Sequence, residues 1–312
     1  MHPAFSVIFL TTLIGVGQGL FVALFAAEGA ARIGWIAQPA PQFYSNGSFI
    51  ALAFLAGGLV ASFFHLGRPE RAWRAAAMWR TSWLSREVIV LPAFMAAVLA
   101  YGLMHAAALD ATLAVGCAGL VLCAALFICT GMIYACIKFL QEWATSLTIV
   151  SFTLLGLASG FTFAAAYAVL AAPALAAPLA QAAIAFTALG LLNRVATLVR
   201  NARLKPKSTL QTAIGVKHPK IQQKSQGFMG GSFNTREFFH GRAAAVVRAV
   251  KWGFLLCAFP VPAALLAAAI ASGSSVLMAA AFVVQYAGLL AERWFFFAQA
   301  RHPQNLYYQV IS

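Results

Sequence analysis

The stretch FSVIFLTTLIGVGQGLFVALFAA, residues 5–27, carries no charged side chain from end to end. Crossing the roughly 30 Å hydrocarbon layer of a bilayer takes roughly 20 apolar residues in a helix rising about 1.5 Å per residue, so this stretch is long enough to span. Its Gly15-Val16-Gly17-Gln18-Gly19 resembles a phosphate-cradling loop, but no strand precedes it. Gly15 and Gly19 form a GxxxG pair, which permits close approach of a second helix. Working outward, seven further apolar runs of similar length follow, at residues 48–64, 88–108, 113–137, 146–172, 179–199, 252–271 and 276–297. Backbone polar groups in lipid are satisfied only by helices or a closed barrel, and these runs are about twice too long for barrel strands. The expected fold is therefore an all-α polytopic membrane protein, a single integral domain with eight transmembrane helices.

Composition agrees, since 62% of the chain is hydrophobic and 9% charged, against about 25% charged in ordinary soluble domains. A soluble enzyme is excluded. The 21 Lys and Arg outnumber the 7 Asp and Glu, giving a net charge of +14, and their placement is one-sided. With an even number of spans, every Lys and Arg except Arg32 falls on the side that also holds both termini. The positive-inside rule places that side in the cytoplasm of a bacterial inner membrane protein. Two basic cytoplasmic loops result, residues 65–87 and 200–248, the second with a GFMGG insert at 227–231. The second loop reads either as a solvated or lipid-facing charge run or as a docking surface. In the first, Pro69 opens a helix-compatible segment in which Trp73, Trp79 and Trp83 alternate with Arg, a pattern suited to headgroup depth.

Candidate chemistry is sparse. The five Cys contain no CxxC pair and read as core residues, so neither a disulfide framework nor a metal site is expected. A bis-His haem needs two His at matching depth, and His65 and His105 end their spans on opposite sides, so no haem is expected. A transporter relay needs ionisable groups at mid-depth, whereas Glu87, Lys138, Glu142, Arg194, Glu292 and Arg293 all lie near one end of their spans. What remains is a cluster on the loop face: His65, the Arg68 to Arg74 stretch and Ser85-Arg86-Glu87. A quinone head group needs a hydrogen-bond partner for each carbonyl and a proton route within an apolar slot, and His65 with Glu87 could supply both. On residue types alone the plainer reading stands beside it: His65 snorkels, and Glu87 pairs with Arg86 or Arg71 at a helix N-terminus.

The segment HLGRPERAWRAAAMWRTSWLSREV, residues 65–88, resembles the signature loop of the membrane anchor subunits of dimethyl sulfoxide reductase-type molybdoenzymes. GMIYACIKFLQEW at 131–143 and AERWFFFAQARHPQNLYYQ at 291–309 are similar to the same family, especially its quinone-linked sulfite dehydrogenase branch. The resemblance implies a three-subunit complex of a molybdenum bis-pterin catalytic subunit, an iron-sulfur subunit with [4Fe-4S] clusters, and this haem-free anchor that binds ubiquinone or menaquinone. It further implies quinone contacts at His65 and Glu87. Arg71, Ser85, Gln18 and Tyr134 are added from their place on the same face, and Arg68, Arg74, Arg80 and Arg86 as the docking surface for the partners. A cytoplasmic signature loop favours sulfite oxidation with electrons passing to quinone. The alternatives are the anchor of a dimethyl sulfoxide or polysulfide reductase drawing electrons from quinol, and a membrane transporter.

Overall fold

A computed structural model describes residues 1–222, 238–303 and 305–308. The GFMGG stretch at 227–231, with Lys224 and Arg236, lies outside the described residues, as do Gln304 and Gln309. The described residues are helical and contain no strand. The helices are α1 (Phe5–Arg32), α2 (Pro41–Phe63), α3 (Trp83–Ala106), α4 (Thr112–Ala135), α5 (Ser146–Ala171), α6 (Pro173–Ala202), α7 (Leu210–Ile214), α8 (Ala244–Cys257), α9 (Pro260–Ser272), α10 (Ser275–Ala298) and α11 (Asn305–Tyr308). A 3-10 segment, Pro69–Met78, joins α2 to α3. Eight helical stretches are long and apolar enough to cross a membrane, the seventh being α8 and α9 together.

The helices overrun the apolar runs expected for them, because a polar or charged helix end can reach the headgroup region while its backbone stays hydrogen-bonded. Local chemistry sets the ends. Ser82, Thr145 and Ser274 cap α3, α5 and α10 by accepting backbone N–H groups of Ser85, Leu147 and Leu277, and Pro opens α2, α6 and α9. Two expected loop boundaries move. Residues 83–87, taken with the first basic loop, form the first turns of α3, and residues 244–248 begin α8.

The seventh run is broken rather than continuous. Phe259 leaves helical geometry at φ −126° and ψ −79°, and Pro260 and Pro262 follow. Pro262 has no N–H to return to the Ala258 carbonyl, so that carbonyl would be orphaned in lipid. The side-chain amide of Gln285 on α10 donates to it at 3.4 Å and to Thr187 Oγ1 at 2.9 Å.

Helices α1 to α4 form a closed four-helix ring, each packed on the next and α4 returning to α1. On the other side of α1 lies α5, which also holds α6 and α10, with α8 and α9 completing the second half. The α1–α5 crossing depends on two glycine pairs. Gly15 and Gly19 of α1 meet Gly156 and Gly160 of α5, and a Cβ at Gly160 would run into the backbone of Gly19 and Leu20. No flexible side chain can yield there, so the helix axes would have to part. The GxxxG reading of α1 therefore holds, with a second such pair supplied by α5. Gly160→Val is expected to cost about 3 kcal/mol or more, read as a lowered thermal midpoint of the detergent-solubilised protein. An unchanged midpoint would mean that the two helices do not meet at these glycines.

Candidate functional site

The four-helix ring is polar at both ends and apolar between them. In the middle, Phe21 of α1 meets Phe94 of α3 edge-on at 5.4 Å, among fully buried Leu20, Leu55 and Val98. Water has no polar partner in such a layer.

At the loop-face end, Glu87 of α3 is buried and accepts a hydrogen bond from the Thr130 hydroxyl of α4. Glu87, Thr130 and Gln18 line one cavity of about 10 Å³, room for about one water, whose apolar wall includes Leu10, Ile14 and Phe152. Gln18 is fixed there by donating its side-chain amide to the Cys123 carbonyl at 3.1 Å. One turn beyond Thr130 on the same face of α4, Tyr134 stacks parallel to Phe152 with centroids 5.4 Å apart. Trp143, Phe296 and Phe297 pack edge-on around it, so the phenylalanine-rich end of α10 is packing and not lipid-facing.

The remaining expected residues lie elsewhere. Ser85 is buried, yet it sits two residues from Glu87 on a helix, where side chains diverge, and it does not line the cavity. His65 is exposed just past the end of α2, and Arg71 is exposed with Glu70 at 3.7 Å. Neither lines the cavity. Glu87 pairs with neither Arg86 nor Arg71, so its plainer expected role is corrected. Arg86 instead bonds the carbonyls of Trp79 and Arg80 at 2.9 and 2.8 Å and lies over the Trp83 ring. That clamp fixes the 3-10 segment to the start of α3, while Arg68, Arg74 and Arg80 remain exposed. Cys117 and Cys136 are also exposed, against the expectation that the cysteines belong to the core.

Two clusters escaped the sequence reading. At the far end of the ring, Glu28 is fully buried and receives the Tyr101 hydroxyl at 2.7 Å and the Thr112 hydroxyl at 2.5 Å. His105 Nε2 lies 3.4 Å from it, and Arg32 reaches it at 3.6 Å from the surface. A carboxylate closing the first apolar run, level with His105 and Arg32, was the available signal. Beyond α5, Arg194 of α6 and Arg293 of α10 both hold Glu292 at 3.0 Å, all three buried. Their proximity depends on tertiary packing, since Arg194 and Glu292 lie about a hundred residues apart in the chain.

This architecture, a helical membrane domain with a buried acid beneath a basic, Trp-rich loop, is that of a membrane anchor. The chain belongs to the DMSO reductase anchor subunit (DmsC) family, whose pattern it matches over residues 1–218. It is 55% identical over 325 residues to a subunit of the sulfite dehydrogenase of Allochromatium vinosum, with 100% of both chains covered. The chain is thus a multi-pass membrane anchor subunit.

Proposed function

We propose that this chain anchors a sulfite-oxidising molybdenum and iron-sulfur pair to the cytoplasmic face of the bacterial inner membrane and passes their electrons to quinone near Glu87. The observation that carries this reading is the buried Glu87, bonded to Thr130 and sharing a cavity with Gln18, at the end of the ring that bears the basic loop. The similarity to a sulfite dehydrogenase subunit supports the substrate, and the one-sided distribution of Lys and Arg supports the face.

The donor set suits a quinone head group: a carboxyl, a hydroxyl and an amide converge within an apolar wall. The closed volume, however, matches one water and not a ring. Binding therefore requires wall side chains such as the half-buried Leu10 to turn aside, with Glu87 meeting the ring directly or through the water. A bound quinone supplies the two-electron acceptor. Glu87 holds one of the two protons that reduction to quinol takes up, the second entering from the cytoplasmic side, Thr130 orients its carboxyl, and the aromatic and aliphatic layer around Phe21 and Phe94 keeps water from crossing to the other face. His65 serves at the loop surface, exchanging protons with the cytoplasm. Arg68, Arg74 and Arg80 present charge to the partner subunits.

A gentle detergent pull-down tests the assembly. Molybdenum and iron should copurify, with sulfite-dependent quinone reduction. A metal-free chain recovered alone overturns the reading, and metal-containing partners active only with a sulfoxide or polysulfide replace sulfite. His65→Ala should slow quinone-linked turnover several-fold and leave sulfite oxidation by an artificial acceptor intact. Unchanged quinone turnover removes His65 from the route. Single cysteines introduced at residues 75–78 should react with an impermeant maleimide in inverted vesicles and not in intact spheroplasts. The reverse pattern moves the loop to the other face.

A further inference from the structure

The Arg194, Glu292 and Arg293 cluster carries one more positive charge than negative, and it is almost completely buried. Its side chains are 1%, 0% and 4% exposed. Surplus charge buried at membrane depth is costly unless another charge answers it. Within the cluster the demand is unmet, because Arg293 Nη1 and Arg194 Nη2 have no hydrogen-bond partner among the described residues. The ring of Phe254 lies 5.3 Å from the Arg194 guanidinium and Ser151 Oγ 3.4 Å from Arg293 Nη2, which soften the cost without cancelling the charge.

Arg293 also points to where the answering charge lies. Its guanidinium carbon sits 3.9 Å from the centroid of the Phe152 ring. Phe152 is itself a wall of the cavity that holds Glu87. One aromatic ring thus separates the surplus charge from the cavity, and aromatic carbon screens a charge far less than water does. The other helices facing Glu87 offer no competing fixed cation among the described residues. On its own helix Arg86 is turned outward onto Trp83 and the Trp79 and Arg80 carbonyls. From α4 come Thr130, Tyr134 and the Cys129 thiol, from α1 Gln18 and Thr11, and from α5 Phe152, while His65 on the loop is exposed.

We propose that the Arg194, Glu292 and Arg293 cluster is the counter-charge of the Glu87 cavity, with Arg293 a positioning residue that sets how readily Glu87 gives up its proton. This rests on Glu87 being the proton-handling group of the site. The assignment extends the site across α10 and α6, two helices that contribute no residue to the cavity wall. It also gives a reason for placing two arginines against one glutamate where a neutral pair would be cheaper to bury. With the surplus charge in place, the carboxylate form of Glu87 is favoured after the proton leaves, which eases delivery of the proton to the acceptor.

The test is an infrared pH titration of the purified complex in lipid nanodiscs, following the carboxyl band that disappears in Glu87→Gln. Arg293→Gln removes the surplus and should move the Glu87 midpoint upward. Glu292→Gln doubles it and should move the midpoint downward. A unit charge about two side-chain layers away, at an effective dielectric of about 20, changes proton affinity on the order of tenfold in each case. Both variants break the Arg293–Glu292 ion pair, so loss of that pair alone cannot produce opposite signs. Arg293→Lys should stay near the parent, and the double variant Arg293→Gln with Glu292→Gln, which keeps one surplus charge, should return toward it even if a single variant folds poorly. Equal midpoints in all variants, or shifts of one sign, overturn the proposal. The outcome is independent of quinone turnover, so a failed quinone assignment shows separately, as normal quinone reduction in Glu87→Gln.

Discussion

Replacing Glu87 by Gln should lower quinone-linked sulfite turnover by about a hundredfold or more, the usual cost of losing a positioned general acid or base. Gln has nearly the same shape and can still accept from Thr130, so the helices should stay packed and the partners attached. What Gln cannot do is release and recover a proton. Sulfite oxidation measured with an artificial acceptor should therefore be unchanged, because that reaction bypasses this chain. Turnover to quinone at the parent rate would remove Glu87 from the proposed route. Thr130→Val should show a smaller defect, about tenfold, since it leaves the carboxyl in place and removes only its orientation. A loss of both activities would instead point to detachment of the partners, read directly by copurification.

The largest expected effect on stability lies at the opposite end of the ring. Glu28→Ala should cost about 3–5 kcal/mol, because the carboxylate is the shared acceptor for Tyr101, Thr112 and His105 and the counter-ion of Arg32. Its removal leaves buried donors on α3 and α4 without partners at once, and each orphaned donor costs about 1–3 kcal/mol. Tyr44 stacks on His105 at 4.4 Å, so α2 is drawn into the same cluster. Tyr101→Phe removes one donor and leaves the acceptor served by the others, so it should cost about 1 kcal/mol. The thermal midpoint of the purified protein reads both. A midpoint for Glu28→Ala equal to that of Tyr101→Phe would show that the cluster does not hold the ring together. Quinone-linked activity of the folded Glu28 variant should be near the parent value, since the apolar layer around Phe21 and Phe94 separates the two ends.

The membrane class, the number of spans and the asymmetry of charge were legible in the sequence because they depend on local quantities. Length of an apolar run, absence of charge and the sign of loop residues need no partner to be read. The α1 glycine pair was legible for the same reason, since a GxxxG spacing already implies a close neighbour. Glu87 could be singled out as an acid at the edge of a span, but its burial could not. The Ser82 cap starts α3 early, and the packing of α3 on α4 turns Glu87 toward Thr130. Gln18 and Glu87 lie far apart in the chain and share a cavity only because α1 and α3 are diagonal members of one ring. His65 and Arg71, close to Glu87 in the sequence motif, lie outside that cavity for the converse reason: a 3-10 segment and an exposed connection carry them away from it. Residue patterns along the chain were enough to define an eight-span helical membrane protein with a basic loop face. Which acids are buried, and which side chains lie against them, followed from the packing, because that depends on which helix faces meet, and a helix in lipid can turn any face to its neighbours.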